Sequence, residues 1–159
     1  MKKLLWVVAF LFCYSGLVFA QSPAIEEFRQ IISQRDTQFK GLQKEMLQEQ
    51  PDKGLKIYSS LLGESGISKS VIAQSTSEGA TYMIGYNIES MDEMKLRIFS
   101  LLVNQYMAEL NDMVKSGNYK GRDFQNEGES ITELTDLSGS VVTQYISSPT
   151  DHLLIVFGK

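Results

Sequence analysis

The chain is poor in the residues that carry most metal and redox chemistry. Among its 159 residues there is one cysteine, Cys13, and one histidine, His152. A lone cysteine forms no intrachain disulfide, and zinc sites normally draw several histidine and cysteine ligands. The sequence also contains no calcium-binding loop, no phosphate-binding loop and no dinucleotide fingerprint. These absences argue against a metal site, and we expect no cofactor.

Basic residues are also scarce. The chain has 15 Lys and Arg against 19 Asp and Glu, and after Lys2 and Lys3 the basic residues form no cluster. Nucleic acids and anionic membrane surfaces are bound by concentrated positive charge, and so we expect no nucleic-acid partner. Hydrophobic residues make up 43% of the chain, which is sufficient for a globular domain with a core.

The first twenty residues have the pattern of a secretory signal peptide. Lys2 and Lys3 precede an uncharged apolar run, residues 4–12, and small residues lead to a cleavage site between Ala20 and Gln21. The apolar segment is shorter than the about 20 residues of a spanning helix, which disfavours an uncleaved anchor. We therefore predict an exported bacterial protein of the periplasm, cell surface or medium.

Cleavage at this site removes residues 1–20 and leaves residues 21–159 as a single domain. The mature chain then has 13 Lys and Arg against 19 Asp and Glu, a net charge of −6. It contains no cysteine, and so its stability must come from burial rather than from disulfides. Acylation at Cys13 is disfavoured by the bulky Phe12 before it. No other segment reaches spanning length, and we expect no membrane span in the mature chain.

Apolar residues at three- and four-residue steps predict a long amphipathic helix after the signal peptide. This helix is expected over residues 23–48, with Pro23 at its first position and an end before Pro51. Its apolar face comprises Ile25, Phe28, Ile32, Phe39, Leu42 and Met46. The same spacing leaves a coiled-coil seam open as an alternative. A second, short helix is predicted over residues 55–62, although the residues there also partly alternate.

The middle of the chain predicts a β-hairpin followed by the longest helix. Two alternating runs, residues 71–76 and 80–88, flank a tight polar turn. Ser90 and Glu93 then fit a capping box, which begins a helix over residues 90–115. The apolar face of this helix is expected to be buried and comprises Met94, Ile98, Leu101, Leu102, Tyr106, Leu110 and Met113.

Three further strands are predicted near the C-terminus, over residues 130–137, 140–147 and 152–157. The stretch before them, residues 117–128, is polar and glycine-rich, and we expect a loop there. Residues 153–157 of the last strand are continuously apolar, which is typical of a strand covered on both faces. The predicted fold class is α+β, with a four- to five-stranded, mainly antiparallel sheet packed against two helices.

Few side chains suggest chemistry. His152 follows Asp151, but adjacent residues of a strand point to opposite faces, so Asp151 is poorly placed to orient the imidazole. Tyr82, Tyr86 and Tyr106 would line a ligand groove on an open sheet, and packing in the core is the simpler interpretation. We therefore assign no catalytic, cofactor-binding or metal-binding residue.

One segment carries a family resemblance. Tyr119-Lys120-Gly121-Arg122-Asp123-Phe124 gives a Gly-Arg-acid-aromatic start of a strand after a strand and a long helix, and apolar strands follow it. This order resembles the PsbP-like families, exported domains whose antiparallel sheet is flanked by helices. The resemblance covers about half of the mature chain, and the long helix after Pro23 departs from a pattern that opens with strands. It implies a non-enzymatic accessory or binding role and identifies no ligand.

We therefore expect an exported, non-enzymatic binding or assembly-accessory protein of the bacterial envelope, with an unknown protein or small-molecule partner. Two alternatives remain open. One is an extracytoplasmic hydrolase that uses carboxylates and His152. The other is a helix-mediated interaction protein, which would pair through Ile25, Phe28, Ile32 and Phe39.

Overall fold

The computed structural model describes residues 23–148 and 152–158, which form two α-helices and eight strands. Helix α1 spans Pro23–Ser33 and helix α2 spans Glu93–Lys115. In chain order, the strands are β1 Gln43–Gln50, β2 Leu55–Ser60, β3 Lys69–Ser75, β4 Gly79–Asn87, β5 Tyr119–Asn126, β6 Glu129–Asp136, β7 Val141–Ser147 and β8 His152–Phe157.

The strands form one sheet that is built from two four-stranded meanders. Its order is β1-β2-β3-β4-β8-β7-β6-β5, and every neighbouring pair is antiparallel. Each meander follows one of the helices, so the chain forms a helix-plus-meander unit twice. The units meet where β4 pairs with β8, from Tyr82 opposite Phe157 to Asn87 opposite His152. The apolar strand β8 therefore lies in the centre of the sheet.

The predicted sheet of four to five strands is wrong, because three segments expected to be helix or loop are strands. β1 lies at the end of the predicted first helix, β2 replaces the predicted second helix, and β5 replaces the predicted loop. The α+β class itself, with two helices beside an antiparallel sheet, describes the architecture. The hairpin β3–β4, helix α2 and the strands β6, β7 and β8 confirm the other predicted elements.

Helix α1 ends at Ser33 because the next segment is fixed to the sheet. The Arg35 guanidinium donates to the carbonyl oxygens of Gly158 and Val141, at 2.6 and 2.9 Å. Two 3₁₀ turns follow, and between them Phe39 adopts a left-handed backbone with φ of 56° and is fully buried. Because 3₁₀ turns repeat every three residues, they keep an apolar spacing that imitates an α-helix. The prediction of one helix over residues 23–48 is therefore wrong.

The edge strands β1 and β5 are polar. This polarity explains why the sequence predicts the end of a helix at β1 and a loop at β5. Six of the eight residues in each of these strands are exposed. β1 also has two register shifts against β2, whereas β5 pairs with β6 without any. Charged residues and bulges on an edge strand discourage pairing with another chain. The same residues remove the hydrophobic alternation by which a strand is recognised.

Both helices pack on one face of the sheet, which we call the inner face. The Phe28 ring of α1 lies 5.3 Å from the Tyr106 ring of α2 and 5.2 Å from the Phe157 ring of β8, between centroids. The two helices are also joined by an ion pair, in which Arg29 Nε and Nη2 of α1 donate to the two carboxylate oxygens of Glu109 of α2, at 2.6 and 2.8 Å. The buried core also contains Ile25, Ile31, Phe39, Leu42, Ile72, Tyr82, Ile84, Tyr86, Leu110, Leu134, Val142, Leu153 and Ile155. The predicted core packing of the three tyrosines is thereby confirmed.

The α1 face that would pair with another helix is occupied by this core. Ile25 and Phe28 of α1 are 8% and 2% exposed, Ile32 of α1 is half-buried, and Phe39, in the segment after α1, is fully buried. A coiled-coil partner would have to displace the sheet from these side chains. The alternative of pairing through this face therefore conflicts with the packing of the chain.

The first half of α2 carries an apolar stripe that faces away from the core. Met94, Ile98 and Leu101 are 73%, 47% and 63% exposed, so the prediction that they are buried is wrong. The neighbouring stripe packs instead, and it starts with Phe99, whose ring lies 5.4 Å from that of Tyr86. The first turns of the helix contain no buried residue, because they begin outside the area that the inner face covers.

Candidate functional site

A cleft of about 610 Å³ opens at the end of the sheet where β4 ends and β3 and β8 begin. One wall is the loop 65–68, and the other is the segment 87–91 together with Lys95. Gly85 and Leu154 lie between the walls, and His152 lies among the lining residues. The volume is within the range of about 300–1,000 Å³ that is usual for small-molecule sites.

Gly85 gives the cleft its depth. It lies opposite Lys69 of β3 and Leu154 of β8, on the face of the sheet away from the helices. A Cβ atom at this position would lie 4.0 Å from Leu154 Cδ1 and 4.0 Å from the Lys69 carbonyl oxygen. These are ordinary contact distances, and so the backbone does not require glycine here. The missing side chain therefore leaves open space rather than relieving strain.

The loop before β3 is held firmly against the sheet. Ser70 Oγ donates to the Leu62 carbonyl at 2.6 Å, and Ser68 Oγ donates to the Gly63 carbonyl at 2.8 Å. Gly63 has φ of 71°, and a Cβ atom there would lie 2.8 Å from Ile84 Cδ1. Glycine is thus required at this turn both by conformation and by space. The result is a fixed wall rather than a free loop.

The opposite wall is a turn between β4 and α2. Ser90 Oγ donates to the Asn87 carbonyl at 3.0 Å, and so Ser90 belongs to this turn. The Asp92 carboxylate caps the helix by accepting a hydrogen bond from the Lys95 backbone N–H at 2.9 Å. The predicted capping box from Ser90 is therefore wrong by two residues, since an acid two positions later competes for the same role.

The charged side chains that line the cleft are Lys69, Lys95 and Glu89, and both lysines are paired with a carboxylate. Lys69 Nζ lies 3.1 Å from Glu64 Oε1, and Lys95 Nζ lies 3.7 Å from Asp92 Oδ2. Both ion pairs are solvent-exposed, and such pairs contribute little to stability. They do cancel most of the positive charge that two lysines would otherwise bring to a ligand. The cleft therefore has no strong preference for an anion.

His152 lies among the lining residues of the cleft, paired with a carboxylate that the sequence does not suggest. Its Nε2 atom is 3.3 Å from Glu129 Oε1, and the two side chains are 45% and 36% exposed. The predicted neighbour Asp151 lies outside the described residues. The His152–Glu129 pair joins β8 to the start of β6 across β7 and forms a polar border of the cleft.

Tyr86 closes the cleft on its inner side. Burial raises the pKa of the Tyr86 phenol well above its usual range, and the neighbouring Tyr106 phenol adds to the rise. The two hydroxyl oxygens are 3.4 Å apart. Tyr86 therefore remains neutral and acts only as a hydrogen-bonding group.

Metal-binding clusters and membrane-spanning helices are both absent from the described ranges 23–148 and 152–158. These ranges contain no group of three or more His, Cys, Asp or Glu side chains that could hold a metal ion. None of their helices is long and apolar enough to cross a membrane.

The face of the sheet opposite the helices, which we call the outer face, is apolar in its central strands. Leu154 and Val156 of β8, Met83 of β4, Val71 of β3 and Ile146 of β7 all point to this face and are half-buried. The solvated face of an antiparallel sheet is normally polar. Both described helices lie on the inner face, and so neither of them covers the outer side of β8, a strand that the sequence predicts to be covered on both faces.

A polar cluster borders the outer face near β5. The Glu133 carboxylate accepts hydrogen bonds from Arg122 Nε at 2.7 Å and from Gln144 Nε2 at 2.6 Å. Burial alone would raise the pKa of Glu133, but these two hydrogen bonds and the Arg122 charge lower it below the usual range. The Arg122 guanidinium also lies 4.8 Å from the centre of the Phe124 ring. The cluster therefore satisfies its own charges.

Comparison of the chain with protein-family models, with curated proteins and with solved structures finds no match. The PsbP-like resemblance thus remains a prediction. The sequence predicts neither the cleft nor the apolar outer face as a site. One signal for the cleft is present in the sequence, since an isolated glycine inside a strand often marks a close approach of a ligand or another backbone.

Proposed function

We propose that the protein is an exported, non-enzymatic binding protein of the bacterial envelope that holds a small organic molecule in the cleft at Gly85. The observation that carries this proposal is the open space above Gly85, between two walls that hydrogen bonds fix in place. A preformed cleft with a few polar groups is the usual form of a small-molecule site.

The lining favours a ligand that combines an apolar part with neutral hydrogen-bonding groups. Ile67, Met91 and Leu154 provide apolar surface, while Asn87 and several serine hydroxyls provide donors and acceptors. The lysines are paired with carboxylates, and Glu89 is solvent-exposed, so a full charge of either sign on the ligand gains little.

Three probes of the same shape and different charge test the proposal: benzyl alcohol, benzoate and benzylamine. Each is titrated into isotope-labelled protein, and backbone amide shifts are recorded by nuclear magnetic resonance. We expect benzyl alcohol to shift the amides of Lys69, Gly85 and Leu154 more than either charged probe does.

Gly85→Val should weaken these shifts, because its side chain enters the cleft, with the Cβ atom at ordinary contact distances of 4.0 Å from Leu154 Cδ1 and from the Lys69 carbonyl oxygen. Thr81→Val is the matched control, since Thr81 lies on the same strand and the same face but outside the cleft. The proposal is refuted if no probe shifts the cleft amides or if Gly85→Val binds as the unmodified protein does.

A further inference from the structure

The outer face has a neutral, apolar centre that spans five adjacent strands. In sheet order β2-β3-β4-β8-β7, its half-buried apolar members are Ile57, Val71, Ala73, Met83, Leu154, Val156 and Ile146. The polar residues among them, such as Thr81 and Gln144, are uncharged, and the ionisable residues Lys69 and His152 lie at the end of the sheet where β3 and β8 begin. An antiparallel sheet in contact with water normally alternates apolar-in and polar-out, and here the alternation fails on these strands and also at Ile131 of β6 and Phe124 of β5.

We propose that this face packs against the outer face of a second copy of the chain, which gives a two-fold symmetric β-sandwich. The shape of the sheet supports a second copy as the occupant. Two sheets with the same right-handed twist stack face to face with their strands about 30° apart. An identical sheet therefore has a complementary shape, whereas a helix would contact only part of a surface five strands wide.

The size of the face agrees with this occupant. Five strands spaced about 4.8 Å apart, with three outward residues each, cover roughly 24 by 20 Å, or about 480 Å². The full eight strands cover about 770 Å² on the same basis. A stable interface of standard size buries about 800 Å² per partner, with an apolar centre and a polar rim. When the polar outer strands of the sheet are counted as the rim, the outer face approaches this size and has that distribution.

The charges of the face also permit two copies to meet. A two-fold interface brings identical surfaces together, so an unpaired charge near the centre would face its own copy. Ionisable groups lie towards the border instead, and six of them form the pairs Arg122–Glu133, His152–Glu129 and Lys69–Glu64 within the chain. Packing of two outer faces therefore places no unpaired like charges at the centre.

The stripe of Met94, Ile98 and Leu101 on α2 is the competing surface. It consists of three side chains on one helix, which is far less area than the outer face presents. Formation of the dimer needs no ligand in the cleft and involves no residue of the α2 stripe. Because Gly85 and Leu154 belong both to the outer face and to the cleft, the second copy would cover the cleft on its outer side.

The test is the mass of the exported protein in solution, measured by light scattering after gel filtration from the low to the high micromolar range. Val156→Lys places a charge at the centre of the outer face, while Leu101→Lys places the same charge on the α2 stripe as a control. We expect the unmodified protein and Leu101→Lys to have twice the mass of the denatured chain, and Val156→Lys to have the monomer mass.

Circular dichroism must show that the Val156→Lys variant is folded; if it is not, Met83→Lys on the neighbouring strand decides in its place. The proposal is overturned if the unmodified protein is monomeric throughout this range, as it would be if another protein or a lipid covers the face. It is also overturned if the folded lysine variant of the outer face stays dimeric, or if Leu101→Lys alone dissociates the dimer.

Discussion

Replacement of Phe28 by alanine tests the way in which the two helices and the sheet are held together. The Phe28 side chain is 2% exposed, and its ring contacts both the Tyr106 ring of α2 and the Phe157 ring of β8. Removal of a buried phenylalanine ring costs about 3–5 kcal/mol, since the surrounding core collapses only in part. For a domain of about 140 residues, 1 kcal/mol corresponds to roughly 3–4 °C in Tm. We expect Phe28→Ala to lower Tm by about 10–18 °C.

The assay is thermal unfolding followed by far-ultraviolet circular dichroism, with Phe28→Leu as the control. Leucine keeps most of the buried volume and loses the ring contacts, so its Tm should fall by about 5 °C or less. A loss below about 3 °C for Phe28→Ala would refute the packing described here. Equal losses in the two variants would refute it as well, because the cost would then not follow the volume removed.

Three further predictions concern single positions. The folded pKa of Glu133 is lowered, so its ionised form contributes stability above the unfolded pKa of about 4.3 and loses it as the pH falls through the folded value. The Tm gap between the unmodified protein and Glu133→Gln should therefore be constant above about pH 5 and close in acid, and a gap independent of pH contradicts this. Gly63→Ala should lower Tm by several degrees, because φ is 71° and the new Cβ atom would lie 2.8 Å from Ile84 Cδ1. Gly66→Ala, in open space with no positive φ, should leave Tm unchanged or raise it slightly, and equal losses at the two glycines would count against the fixed wall. Gly85→Val should not lower Tm, since its side chain enters open space on a strand, and a large loss in a melting experiment would show that the cleft is not open.

The central elements of the fold could be predicted from the sequence, because their patterns are regular. The alternation in β3 and β4 and the apolar run in β8 reflect strands with neighbours on both sides. The edge strands β1 and β5 could not be predicted. Edge strands are polar, and so they lack the hydrophobic alternation by which a strand is recognised. The end of α1 depends on the long-range hydrogen bonds of Arg35 to Gly158 and Val141, and no local pattern encodes such contacts.

The candidate site was less predictable than the fold. The cleft depends on the absence of a side chain at Gly85 and on the pairing of β4 with β3 and β8, which the sequence does not reveal. His152 stands out in the sequence as the sole histidine, but its partner Glu129 is 23 residues away in the chain. The sequence also predicts the apolar character of β8, although it does not show which face of this strand the helices cover.

The central claim is that the cleft at Gly85 holds a small organic molecule. Native mass spectrometry of the protein recovered from the envelope of the cell that exports it, beside Gly85→Val recovered in the same way, tests this claim most directly. We predict that the unmodified protein carries an additional mass, which denaturation releases, and that Gly85→Val carries none. Identical spectra for the two proteins, with or without an increment, would contradict it.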